Sequence, residues 1–117
     1  MCIVLIAKNT MEDLPLIILA NRDEYFERET QSLGLWKKNT EILAGMDLRG
    51  GGTWLGVTNS GRVAALTNLP SIEKIPEKTK SRGLLIKDFF TNNITPYQYT
   101  NFLKQSKNEF LGFNLVA

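Results

Sequence analysis

Cysteine at position 2 is the residue whose place in the chain most invites chemistry. Methionine aminopeptidases remove Met1 when a small residue follows, and cysteine is small enough. The processed chain would then begin with a residue that carries both a thiol and a free α-amine. The reference pKa of an α-amine is about 8, so near neutrality it can take the proton of its own side chain without a histidine. The chain has no histidine. That removes Ser-His-Asp and Cys-His relays, and His-ligated zinc or haem, as arrangements within it. The competing reading of Cys2 is a small buried residue opening a strand, which position alone favours.

Asn21-Arg22-Asp23-Glu24 follows an apolar run without a break. If that run pairs with the one starting at Cys2, its end returns beside the cysteine. A guanidinium there would stabilise a thiolate, and a carboxylate would orient the α-amine. The alternative is a solvated ion cluster at a strand end. Asn68, at the end of a third apolar run, is an amide that could donate to a developing oxyanion, an effect of about 3 kcal/mol. Before Leu69-Pro70 it reads equally well as a turn residue.

The other patterns read as structural. Gly45 and Gly50 have phosphate-loop spacing, but Gly51 stands where a lysine is required, so a tight turn that lets Trp54 pack is the better account. Asp23, Glu24 and Asp47 are scattered acids with no metal-ligand pattern. Lys74, Lys78, Lys80 and Arg82 are interrupted by acids and read as a solvated loop. Asn93-Ile94-Thr95 matches a glycosylation sequon, but Pro96 follows and Thr95 reads as a helix cap.

The elements that must position these residues are strands first. Cys2–Ala7 is apolar and rich in branched residues and reads as a buried strand; Pro15–Ala20 reads as a second strand, and with the polar turn over Asn9–Asp13 between them a hairpin is expected. Short strands follow at Ile42–Gly45 and Trp54–Val57, and Asn59-Ser60-Gly61 turns the chain into Arg62–Asn68. Residues 25–41 read as loop anchored by Trp36, and Leu69–Lys80 as loop. Ser81 is the expected cap of a helix carrying Leu84, Leu85 and Phe89; Pro96 opens a second with Tyr99, Phe102 and Leu103. Gly112–Ala117 is a last strand. Strands followed by segregated helices define an α+β class with mostly antiparallel sheets and a helix pair. An apolar strand at Ala117 would be a sticky edge, so the natural domain is expected to continue or to be completed by a partner.

The 117 residues suit one domain with a modest core. A net charge of +2 is too small for a nucleic-acid footprint. A lone cysteine forms no internal disulfide. No apolar run approaches the ~20 residues of a membrane helix, and the start lacks the basic region of a secretory signal, leaving cytoplasm or an organelle lumen as the default location.

Met1-Cys2-Ile3, Asn21-Arg22-Asp23-Glu24, Leu43-Ala44-Gly45-Met46-Asp47-Leu48 and Gly51-Gly52-Thr53-Trp54-Leu55-Gly56-Val57 resemble, in order, the blocks of the NRDE family, the group named after transport and Golgi organisation protein 2. Gly61-Arg62, Leu66-Thr67-Asn68, Ser81-Arg82-Gly83 and Gly112-Phe113-Asn114-Leu115 continue the order. Met46 departs from a common arginine, and Leu69-Pro70 from a basic continuation. Family members are considerably longer, so residues 1–117 look like one domain lacking its C-terminal end. The resemblance implies an N-terminal-nucleophile-hydrolase-like αββα sandwich. Its start is similar to the bile-salt hydrolase and penicillin V acylase group. There the first cysteine attacks an amide, an arginine and an aspartate lie on the next strand, and an asparagine serves the oxyanion. By position those roles fall on Cys2, Arg22, Asp23 and Asn68.

The resemblance thus implies an amidase or acyl hydrolase acting on a small-molecule amide, with no resident cofactor. The family is also linked with Golgi organisation and secretion, haem trafficking, and lipid or acyl-CoA metabolism. A non-catalytic carrier of haem or an acyl lipid, with Cys2 as axial thiolate, is therefore the alternative, and an interaction module in membrane traffic is a third.

Overall fold

The computed structural model describes residues 2–37, 39–70, 79–92, 94–106 and 109–117. Met1, Lys74, Lys78 and Asn93 lie outside them, as does most of the loop expected over Leu69–Lys80. The elements run β1 (Ile3–Met11), β2 (Leu14–Asn21), β3 (Thr30–Trp36), β4 (Asn39–Asp47), β5 (Leu55–Thr58), β6 (Val63–Asn68), α1 (Gly83–Thr91), α2 (Pro96–Gln105) and β7 (Phe113–Val116). β1 and β2 form a two-stranded antiparallel sheet; the remaining strands form a five-stranded antiparallel sheet in the order β3-β4-β5-β6-β7. The class is α+β.

The hairpin has Ile3 opposite Asn21, Leu5 opposite Leu19 and Ala7 opposite Ile17. β1 reaches further than its apolar run. The register slips between Lys8 and Met11, where Asn9 takes a left-handed φ of 54°. Asparagine tolerates that conformation, and Pro15, which cannot donate to a ladder, sits opposite the irregularity.

The five-stranded sheet packs one face on the helices. Ile42, Ala44, Ala64 and Leu66 alternate on that face and meet Leu85, Ile86, Phe89 and Phe90 of α1 and Tyr99 of α2. Each large side chain buried here contributes about 2 kcal/mol. The small residues set the distance: a Cβ on Gly56 would meet Ala44 Cβ at 2.9 Å and Phe90 Cε2 at 3.0 Å, so the phenyl ring lies directly on the strand. Tyr99 donates its hydroxyl to Leu85 O at 2.7 Å, and burial pushes its ionisation well above the usual tyrosine range. Arg62 spans the helix connection, donating to Asn92 O at 2.6 Å and Ile94 O at 2.9 Å with its guanidinium 3.9 Å over the Phe89 ring.

The hairpin lies against the opposite face. β1 contacts β6, and Ala65, whose side chain points away from the helices, is 1% exposed. The outer face of the hairpin stays open: Ile3, Leu5 and Leu19 are all more than half exposed. The layers are therefore helices, sheet and hairpin.

Two expectations need correction. Residues 25–41 are not all loop: Thr30–Trp36 form β3. This is an edge strand, with Leu33 and Leu35 exposed and Thr30, Gln31 and Ser32 polar, so its alternation is too faint to read. Ser81 does not cap α1. Arg82 occupies the cap position already in helical dihedrals, and Ser81 offers only its carbonyl to Leu84 N–H at 3.1 Å. The last strand is paired, with β6, and forms the other edge of the sheet. At α2 the Thr95 cap is present with Gln98 as its reciprocal partner. Among the described residues no helix is long and apolar enough to cross a membrane.

Candidate functional site

The register of the hairpin decides what faces Cys2. With Ile3 opposite Asn21, the next positions bring Cys2 beside Arg22 and Asp23. Asp23 N–H donates to Cys2 Sγ at 3.5 Å, and the thiol donates to Asp23 O at 3.7 Å, so both backbone polar groups of one residue contact the sulfur. Both are long, weak sulfur contacts, but they fix the thiol at the end of β2.

Arg22 reaches the other way. Its guanidinium lies 4.7 Å from the centroid of the Trp54 ring, within cation–π range. Trp54 is in turn held by glycines. A Cβ on Gly45 would come within 2.9 Å of Trp54 Cη2, so the indole rests on the bare backbone of β4. Gly51, at a φ of 69°, makes the turn that leads into it.

That turn is organised by Asp47. Its Oδ2 accepts from Arg28 Nε at 3.0 Å and Nη2 at 2.7 Å, and its Oδ1 accepts from the backbone N–H of Arg49 at 3.1 Å and Gly50 at 3.0 Å. Its own N–H donates to Gly52 O at 2.9 Å, and its carbonyl accepts from Gly51 N–H at 2.7 Å. Burial pushes the carboxyl up, but the Arg28 guanidinium and the Gly50 N–H outweigh it and hold Asp47 below the usual aspartate value. The same pairing raises Arg28 further, and Glu24 adds a contact at 3.6 Å.

The turn also touches α1. A Cβ on Gly52 would lie 2.2 Å from Gly83 C and 2.3 Å from Gly83 O, and Thr53 N–H donates to Gly83 O at 3.1 Å. Two backbones in contact leave room for nothing but glycine at position 52. This contact brings Ser81 and Arg82 to the cleft that Cys2 lines. Arg82 Nη1 donates to Gly112 O at 2.9 Å. Burial lowers its pKa, the Glu24 charge acts the other way, and the Arg28 charge adds to the lowering.

The result is an open cleft of about 600 Å³. Cys2, Arg22, Asp23 and Asn68 all line it, together with Glu24, Arg28, Asp47, Arg49, Thr53, Trp54, Lys80 and Arg82. The side-chain amide of Asn68 has no hydrogen-bond partner among the described residues and faces this space from the end of β6. Trp54 also borders a second cavity of about 570 Å³ between the hairpin and the sheet, lined mainly by apolar residues such as Leu16, Ile18, Leu43, Leu55 and Val63.

Sequence reasoning missed Arg28, Asp47, Arg49 and Arg82 as members of this site. Asp47 is not a scattered acid, and Arg82 is not a solvated loop residue but a half-buried one. Their local sequence carries one signal, the Asp47-to-Gly52 turn. The pairing of residues 28 with 47 and 52 with 83 arises only on folding. Among the described residues no group of three acid, cysteine or histidine side chains converges as a metal site would require.

Fold and cleft define an α+β protein with a cysteine at position 2 and a guanidinium-rich pocket. The chain matches the family described as Transport and Golgi organisation 2 over residues 1–117. It is similar to the Transport and Golgi organization protein 2 homologs of Bos taurus (35% identity) and Homo sapiens (36%), each over 105 residues, covering 87% of this chain and 38% of the relative. It is also similar to Transport and Golgi organization protein 2 of Drosophila melanogaster, at 33% over 111 residues, 87% of this chain and 39% of the relative. The chain belongs to the Transport and Golgi organisation 2 family and spans about two-fifths of the length of these relatives.

Proposed function

We propose that this chain carries the nucleophile of a cysteine amidase or acyl hydrolase, built on the αββα plan of N-terminal-nucleophile hydrolases. The single observation that supports it most is the gathering of Cys2, Arg22, Asp23 and Asn68 around one cleft from three separate strand ends. The αββα plan is supported by helices that, among the described residues, cover one side of the sheet, and by an open apolar face on the hairpin, where a further layer would pack. Residues 1–117 then belong to one domain whose remaining part corresponds to the rest of the relatives' length.

In this mechanism Met1 is removed and the α-amine of Cys2 takes the thiol proton. Sγ attacks the acyl carbon, forming a C–S bond while the carbonyl electrons move to oxygen. Asn68 donates its amide N–H to that oxyanion. The α-ammonium returns its proton to the departing amine as the C–N bond breaks, leaving a thioester. Water, deprotonated by the same amine, hydrolyses the thioester and regenerates the thiol. Arg22 favours the thiolate and Asp23 orients the amine.

The apolar cavity beyond Trp54 favours a second reading, a non-catalytic carrier of haem or an acyl lipid in the processes for which the relatives are named. Intact-mass spectrometry of protein purified from cells, before and after iodoacetamide, separates the two. Loss of Met1 with labelling of Cys2 that slows on Arg22→Ala supports the hydrolase. Retained Met1 or an inert Cys2 sinks it and leaves the carrier, for which a Cys2-dependent haem Soret shift is the readout.

A further inference from the structure

The cleft has an excess of cations. Five basic residues line it, Arg22, Arg28, Arg49, Lys80 and Arg82, against three acids, Asp23, Glu24 and Asp47. Arg28 is held by Asp47 and Glu24, and Lys80 by Glu109. Arg22 is seated on Trp54. Arg49 and Arg82 have no carboxylate partner among the described residues, and they face the cleft from two sides, the Asp47 turn and the start of α1.

Arg82 is the more telling of the two. It is half-buried, and the bond to Gly112 O uses one of the five N–H donors of a guanidinium. Taking a cation out of water without an anion is unfavourable. The carboxylate it senses is Glu24, which is already engaged by Arg28, and the Arg28 charge itself repels it. α1 adds the same sign, since its first turn holds no acid and no side chain caps it.

We propose that Arg82 and Arg49 form a receptor for an anionic group, a carboxylate or a phosphate, on the molecule whose acyl carbon meets Cys2. This rests on the hydrolase reading for the position of the acyl group. The planar, always-charged guanidinium suits both anions, through paired N–H donors. The substrate class is thereby narrowed to acyl compounds with a negative charge near the scissile bond.

Iodoacetate and iodoacetamide test this, because they are alike in size and differ in charge. With either reagent Sγ displaces iodide from carbon and forms a thioether. Ordinary thiols react faster with the neutral reagent. Here iodoacetate is expected to be the faster, with a preference that falls as salt rises and shrinks by about two- to fivefold in Arg82→Gln and in Arg49→Gln, the scale of one partly screened charge. Arg49 is exposed, so its variant keeps the test valid if Arg82→Gln folds poorly. A reagent ratio equal to that of free cysteine and indifferent to salt overturns the proposal.

If neither reagent labels Cys2, the nucleophile reading fails by itself. Inorganic phosphate and malonate, titrated against chloride at matched ionic strength, then decide the anion receptor and separate the two anion classes. A rise in melting temperature with either, lost in Arg49→Gln, supports the receptor. No rise with both overturns it.

Discussion

Replacing Asp47 with alanine removes the acceptor of four N–H donors at once. Two come from the Arg28 guanidinium at 2.7 and 3.0 Å, and two from the backbone of Arg49 and Gly50. Breaking a fully buried pair costs about 3–5 kcal/mol, because the surviving charge is stranded. Arg28 keeps 27% of its side-chain surface and so regains some water. The expected loss is therefore about 2–3 kcal/mol, read as a lower urea midpoint at neutral pH with an unchanged slope. Asp47→Asn keeps the shape but turns an amide N–H2 toward Arg28 or toward the turn, and should lose about 1–2 kcal/mol. The folded carboxyl ionises below its ordinary value of 3.8, so its contribution is complete above that value and disappears as the pH falls through the depressed one. The wild-type protein should thus lose stability more steeply than Asp47→Asn below about pH 4. A loss under about 0.5 kcal/mol for Asp47→Ala, or parallel acid limbs for wild type and Asp47→Asn, would refute the view that this carboxylate organises the turn.

Other substitutions probe the same frame. Gly52→Ala drives a methyl to 2.2 Å from the Gly83 backbone and should destabilise by about 3 kcal/mol or more. Gly83→Ala meets Thr53 backbone atoms at 3.0–3.1 Å and should cost clearly less; equal effects in thermal melts would contradict the close approach. Arg62→Ala loses two bonds to helix-connection carbonyls and its seat on Phe89, for about 1–2 kcal/mol by chemical denaturation. Thr95→Ala removes a capping box and should cost about 1 kcal/mol; hydrogen exchange in the first turn of α2 should speed up accordingly.

The hairpin and the placing of Arg22 and Asp23 beside Cys2 were legible because they are local. Two branched apolar runs separated by a polar gap can hardly pair in another way, and the pairing carries the tetrapeptide to the cysteine. The helices were legible from Leu85 and Phe89 and from the Thr95-Pro96 start. β3 was not, because this edge strand is exposed on both faces over most of its length, so no buried face imposes an apolar alternation. Arg82 and Asp47 escaped for a different reason. The burial of one and the four donors of the other come from chain segments far apart in sequence, and neither a basic cluster nor an isolated acid announces such a partner. The open outer face of the hairpin was not legible: the run from Cys2 reads as a buried strand, yet Ile3 and Leu5 are exposed on a two-stranded sheet that is covered on one face only.

The proposed hydrolase depends most directly on the Cys2 α-amine as base. The decisive measurement is mass spectrometry of the Cys2 peptide after brief exposure to a p-nitrophenyl acyl ester, in the processed chain and in one that retains Met1, where the Cys2 nitrogen is a non-basic amide. A transient acyl thioester on Cys2 that forms quickly only when the amine is free, and is absent in Cys2→Ala, is the expected result. Acylation at the same rate with Met1 retained, or no acyl adduct on Cys2, would contradict it.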